Sequence, residues 1–311
     1  MNKPFHYRGY GLTVASDFEL PEMTPADPVT PDVTIHQGDI ARQAREATIF
    51  PVKAHAGCYM SPAGPMLSVG DTADFLVRNG NRIDVTLQPD ADPATMRLFL
   101  MGSCMGLIFH QRGELVLHGA AIGRGDKVSV FVGDSGAGKS TLAAHLGRRG
   151  YAVLSDDTLP LRRGRDGGFV AWPGSSAFKL WRVALEGMGM DAAGLAEVGA
   201  RQDKYYMQNP NTAPDQPHDL VEIITLEQTE NSVPTLTALD GAEALSAVAQ
   251  NVYRHEFAGL LDREADQFRQ SAELLAACRV LRLNRPWGAD RIDECIDFLE
   301  VHWRTGNSAM R

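Results

Sequence analysis

Short apolar and alternating runs fill the chain from Tyr7 to about Leu87, among them Asp32-Val33-Thr34-Ile35, Asp74-Phe75-Leu76-Val77 and Arg82-Ile83-Asp84-Val85-Thr86-Leu87. Proline, glycine, asparagine and aspartate separate them, and Asn79-Gly80-Asn81 between the last two is a hairpin signal. The pattern predicts an antiparallel, β-rich N-terminal domain. The period then changes. Asp92-Pro93 supplies a helix start, Met96 to His110 fill the helix, and Gln111-Arg112-Gly113 stop it. Its apolar stretch, Leu98 to Phe109, is about a dozen residues against the roughly 20 a bilayer needs, so a buried helix is predicted and no membrane partner. A domain seam is expected here, giving a β-rich α+β domain over 1–112 and an α/β domain over 113–311.

Past the seam, strands are predicted at Leu115 to Ile122 and Val128 to Val132, around the turn Gly123-Arg124-Gly125-Asp126-Lys127. Further strands are predicted at Tyr151 to Leu154, Phe169 to Trp172, Phe178 to Trp181, Leu220 to Leu226 and Val280 to Leu283. Helical patterns cover Ala242 to Gln250, Asp262 to Ala277 and Asp290 to Trp303. Asn209 to His218 is proline-rich and polar, which predicts an exposed loop. There is no internal repeat and no low-complexity tract.

The run from Val128 to Val132 ends in Gly133-Asp134-Ser135-Gly136-Ala137-Gly138-Lys139-Ser140, which fits the phosphate-binding pattern G-x-x-x-x-G-K-[ST], and Thr141-Leu142-Ala143-Ala144-His145-Leu146 opens a helix behind it. Glycines let the backbone curl and aim N–H groups at phosphate oxygens, and the helix N-terminus adds its dipole. The nucleotide-binding set is therefore Gly133 through Thr141. Lys139 is placed to reach the β- and γ-phosphates and Ser140 to offer its hydroxyl to Mg²⁺.

Two further groups belong to the same rim. A hairpin closed by Gly123 to Lys127 would pair position 122 with 128 and 118 with 132, setting His118 beside the entrance to the phosphate loop. There it either approaches the phosphates or serves as a structural histidine bonded to a carbonyl. Asp156-Asp157 ends the strand from Tyr151, at the sheet edge where α/β folds place ligands. Adjacent residues on an extended chain point to opposite sides. One carboxylate would hold Mg²⁺ and the other take the proton of an acceptor, unless the pair is an ordinary cap or turn.

The formal charge of −9 and pI near 5.5, with no basic stripe, exclude nucleic acid as the expected partner. Cys58, Cys104, Cys278 and Cys295 form no C-x-x-C pair, so neither a zinc site nor a disulfide framework is predicted. Met1 to Arg8 has no signal-peptide core, and a cytoplasmic location is expected. A guanine-selective switch usually carries N-K-x-D, whereas here Asn2-Lys3 continues into Pro4-Phe5.

Leu117-His118-Gly119, the phosphate loop and Gly150-Tyr151-Ala152-Val153-Leu154-Ser155-Asp156-Asp157 together resemble the catalytic core of HPr kinase/phosphorylase, in order and in spacing. The resemblance implies a P-loop kinase domain of the carboxykinase-like type, ATP with Mg²⁺, and a serine hydroxyl of a peptide or protein as acceptor. It implies Asp157 as general base, Asp156 and Ser140 at the metal, and His118 near the phosphates. The match is confined to about residues 115–160. Where those kinases carry an arginine-containing substrate loop, this chain reads Arg201-Gln202-Asp203-Lys204-Tyr205-Tyr206-Met207, which argues against HPr as the substrate. Tyr10 to Thr13, Ser16 to Glu22, Leu98 to His118 and Trp172 to Trp181 are instead similar to the HPr-kinase-like proteins encoded beside lasso-peptide precursors, some of which phosphorylate a C-terminal serine. HPr kinases form hexamers, so a homo-oligomer is within the implied range. Lys204, Arg254 and Arg285 are secondary candidates for charge at the transferring phosphoryl group, and Trp172 and Trp181 for a peptide groove. His145, His218 and His255 have no metal-site spacing.

Overall fold

In the computed structural model, which describes residues 3–50, 57–175, 177–199, 203–209, 211–230, 233–286, 288 and 291–306, the chain builds two nine-stranded sheets and a small two-stranded ribbon. This is a mixed α/β fold. Of the predicted elements, Arg201, Gln202, Pro210 and Asp290 lie outside the described residues.

The first sheet is a meander joined to a parallel seam. Thr48–Phe50, Gly57–Ser61, Gly64–Val69, Ala73–Arg78 and Arg82–Leu87 pair antiparallel in sequence order. The last two are closed by Asn79 and Gly80, both at positive φ, as a tight hairpin demands. The wholly antiparallel expectation fails at Val33–Gln37, which runs parallel both to Leu12–Ser16 and to Arg82–Leu87. Long connections on either side of it carry the chain back to the same end of the sheet, which a parallel pairing requires.

The predicted helix forms as Pro93–Phe99, a π-helical turn Leu100–Cys104 and Met105–Gln111. Asp92 caps it by accepting from the N–H groups of Ala94 and Thr95. It is buried from Leu100 to His110. Leu100, Leu107 and Phe109 pack with Val33, Phe75 and Val85 of the first sheet and also with Val116, Tyr253 and Phe257.

The second sheet is built round three parallel strands, Lys127–Val132, His218–Thr229 and Arg279–Pro286. Phe131 faces the helices Lys139–Arg148 and Ile292–Gly306, while Val128, Val130 and Val132 face Gly241–Gln250 and Glu264–Ala277. A strand covered on both sides reads as a nearly continuous apolar run, which here is broken within Val128 to Val132 only by Ser129.

The predicted hairpin register is corrected. Arg124 pairs with Lys127 and Ile122 with Ser129, so the turn is only Gly125-Asp126 and the register moves by one. His118 is not in this hairpin. The chain divides at Gly119, where a Cβ would lie 2.7 Å from the Phe131 carbonyl oxygen. Leu115–His118 leaves to pair with Thr158–Arg163, setting His118 opposite Thr158.

Candidate active site

A cavity of about 1200 Å³ opens where the phosphate loop, the acid pair and the first sheet meet. Ser135, Gly136, Gly138, Lys139, Ser140 and Thr141 line it, whereas Gly133, Asp134 and Ala137 sit behind as the frame of the loop. Gly133, Gly136 and Gly138 all have positive φ. The helix Lys139–Arg148 begins at Gly138 with no side chain capping its first turn, so its N–H groups remain available to an anion. Lys139 Nζ donates to the carbonyls of Gly133 at 2.7 Å and Asp134 at 3.1 Å, and its backbone is held at the rim. Burial lowers its pKa, with Asp157 and Asp156 pulling the other way.

The loop is braced from outside. The Gly133 N–H donates to Asn251 Oδ1 at 2.8 Å, and the carbonyl of the same asparagine accepts from the His118 N–H at 2.8 Å. Arg285 donates to the Ala137 carbonyl at 2.7 Å, which makes it a brace of the loop. Lys204 and Arg254 line the cavity. Lys204 Nζ lies 4.6 Å from the centre of the Trp181 ring, itself part of the wall, while Trp172 packs on the Gly11 turn away from it. His218 is buried against the carbonyls of Gly125 and Pro214, and His255 pairs with Glu256, so neither belongs to the site. His145 lies on the loop helix and does not line the cavity.

The strand Ala152–Ser155 runs antiparallel to Ala120–Arg124, which is antiparallel to the loop strand, so it points the same way as the loop strand. It therefore delivers Asp156 and Asp157 to the rim that emits the loop. Asp156 is 6% exposed, and its Oδ2 accepts the Lys179 N–H at 2.9 Å. Burial pushes its pKa up to about 7, against the opposing influence of that N–H and the Ser140 hydroxyl. Its Oδ1 is buried with no aligned hydrogen bond. Asp157, beside it in the same bend, meets different atoms. Its Oδ1 lies 3.1 Å from His118 Nδ1 and its Oδ2 accepts from Lys179 Nζ at 2.8 Å. Burial alone would raise this carboxyl, but the Lys179 ammonium and His118 outweigh it and hold the group well below the usual carboxylate range. Burial likewise opposes charge on Lys179, and Asp157 overrides it to keep the ammonium protonated.

Asp156 Oδ1 and the Ser140 hydroxyl form a pair of hard oxygen donors beside the phosphate loop, which suits Mg²⁺. Among the described residues no group of three or more His, Cys, Asp or Glu is arranged to hold a metal alone.

The structure thus brings His118, Lys139, Ser140, Asp156 and Asp157 into one cavity. Sequence reasoning missed Lys179, Asn251 and Tyr253. Lys179 is signalled only as a cation inside an otherwise apolar strand, Ala177–Trp181, and nothing local marks Asn251.

No protein-family model matches the sequence, and no curated protein matches it. Among solved structures, the Hpr(Ser) kinase/phosphatase from Coxiella burnetii is similar over 62% of this chain and 98% of its own, at 11% identity and a TM-score of 0.34. That likeness is too distant to carry function.

Proposed function

We propose that this chain is a Mg²⁺-dependent kinase of the HPr-kinase type, with a P-loop catalytic region, that transfers the γ-phosphate of ATP to a serine hydroxyl of a peptide or protein. One observation carries the reading: a phosphate loop, an oxygen-donor pair and a second carboxylate with partners of its own share one cavity. Loop amides and Lys139 hold the triphosphate. Asp156 and Ser140 would hold Mg²⁺, which supplies neutralisation of phosphate charge when bound. Asp157 lies where it can accept the serine hydroxyl proton as the new O–P bond forms and ADP departs. A carboxylate this acidic is a weak base, which suits phosphoryl transfer because its demand is mostly for positioning and the proton leaves late.

The finer reading, that the acceptor is the C-terminal serine of a lasso-peptide precursor, is supported by the sequence resemblance alone. The test is a screen with labelled ATP and Mg²⁺ against serine-terminated peptides, internal-serine peptides and small hydroxyl metabolites. Labelled peptide is expected, abolished by a chelator. Label confined to a small metabolite would keep a kinase and discard the peptide acceptor. ADP formation with no labelled acceptor would support a nucleotide-gated switch instead.

A further inference from the structure

The ribbon formed by Ala177–Trp181 and Lys204–Gln208 has two unlike faces. Phe178 and Leu180, with Tyr205 and Met207, are buried in the core shared with the phosphate-loop helix. The alternate positions, Lys179 opposite Tyr206 and Trp181 opposite Lys204, fall on the other face, where Lys179, Trp181 and Lys204 reach the cavity. A period of two thus splits the ribbon between packing and chemistry.

Among the described residues, Lys179 alone is hydrogen-bonded to both members of the acid pair. Its backbone N–H is 2.9 Å from Asp156 Oδ2 and its ammonium 2.8 Å from Asp157 Oδ2. His118 takes the other oxygen of Asp157. With Lys179 Nζ at one oxygen and His118 Nδ1 3.1 Å from the other, the Asp157 carboxylate is hindered from rotating, and the residue lines the cavity. The two aspartates lie in the bend between Ala152–Ser155 and Thr158–Arg163, outside either strand, and Lys179 ties both to a third element. Lys179 is mostly buried, with 18% of its side chain exposed, so a misplaced carboxylate could not easily recover this pairing from solvent.

Resting on the kinase reading above, we infer that Lys179 is the positioning residue of the acid pair, holding Asp157 in line for the acceptor hydroxyl through its charge while its main chain fixes Asp156. Misplacing a reacting group by about 1 Å costs on the order of 100-fold in rate. K179Q, which keeps length without charge, is expected to lose about that factor in kcat while the KM for ATP stays within about twofold. K179R, which restores the charge opposite the carboxylate, is expected to recover at least about tenfold of the loss. Both are measured beside D157N, with nucleotide affinity as the check on folding. An unchanged kcat in K179Q, or equal loss in K179Q and K179R, beside an inactive D157N overturns the assignment and leaves the kinase reading intact. Full transfer by D157N overturns the role of Asp157, and this inference with it, while no labelled acceptor from the native protein overturns the kinase reading instead.

Discussion

Gly138 has φ near +91°, and a Cβ there would run into the Arg285 guanidinium that braces the loop. An L side chain is strained in that region whatever the space. G138A is therefore expected to weaken ATP binding by at least about tenfold with little loss of global stability, because the strain is local to the loop; titration with a fluorescent nucleotide and a melting curve separate the two. At this scale the sequence was informative where chemistry is local. Gly133 to Ser140 and Asp156-Asp157 are contiguous, so their residue types and spacing announce them. Lys179 and Asn251 enter the site only through tertiary packing, one from a ribbon and the other from the end of Gly241–Gln250, and no local pattern marks such an arrival. His118 reached the site although the predicted register was wrong, because Gly119 lets its strand change partners.

Among the elements, the helix that begins at Pro93 is closely packed by its neighbours over Leu100 to His110. Added Cβ atoms at Gly102 and Gly106 would stand 3.0 Å and 2.9 Å from the Tyr253 ring system, which lines the cavity from the opposite side. Overpacking a filled interface costs about 1–3 kcal/mol. G106L is expected to fall in that range in urea unfolding and to slow transfer, since Tyr253 packs beside His118 with ring centres 6.0 Å apart. The helix itself was legible from its Asp-Pro start and apolar filling. Thr158–Arg163 passed unmarked because Pro160 interrupts its run. The proline is tolerated where only Val116 opposes it, since pairing with Phe169–Ala171 begins at Leu161.

For the molecule as a whole, a charged network lies outside the cavity that holds the acid pair. Glu222 is fully buried and is bonded by Ser129, His302, Arg124, Arg279 and Trp303. Burial alone would raise its carboxyl, but these partners hold it below the ordinary glutamate value. A group with its folded pKa depressed contributes stability above its unfolded pKa and loses it as pH falls through the folded one. Stability should therefore drop on acidification below about pH 4.5, the unfolded glutamate range. E222Q should flatten that dependence while costing about 3–5 kcal/mol near neutrality, by breaking a buried pair. Burial also pushes the thiols of Cys58 and Cys295 up to about 11 and Cys278 to about 12, and Cys104 well above its ordinary value. Since the thiolate is the reactive form, labelling by a disulfide reagent at neutral pH should be slow until the protein is unfolded. The α/β character was readable from alternating strand and helix patterns. The pairing of His218–Thr229 with both Lys127–Val132 and Arg279–Pro286 was not, because it joins segments far apart in sequence whose local patterns carry no record of their partner.

The central claim is that the phosphate loop and the acid pair act on a single triphosphate, with binding and transfer divided between them. Single-turnover transfer from labelled ATP by the native protein and by D157N, with nucleotide affinity measured alongside, tests it most directly. The expected result is unchanged affinity and transfer slowed by about 100-fold or more in D157N, the range a lost general base produces. Transfer by D157N at the native rate would contradict it.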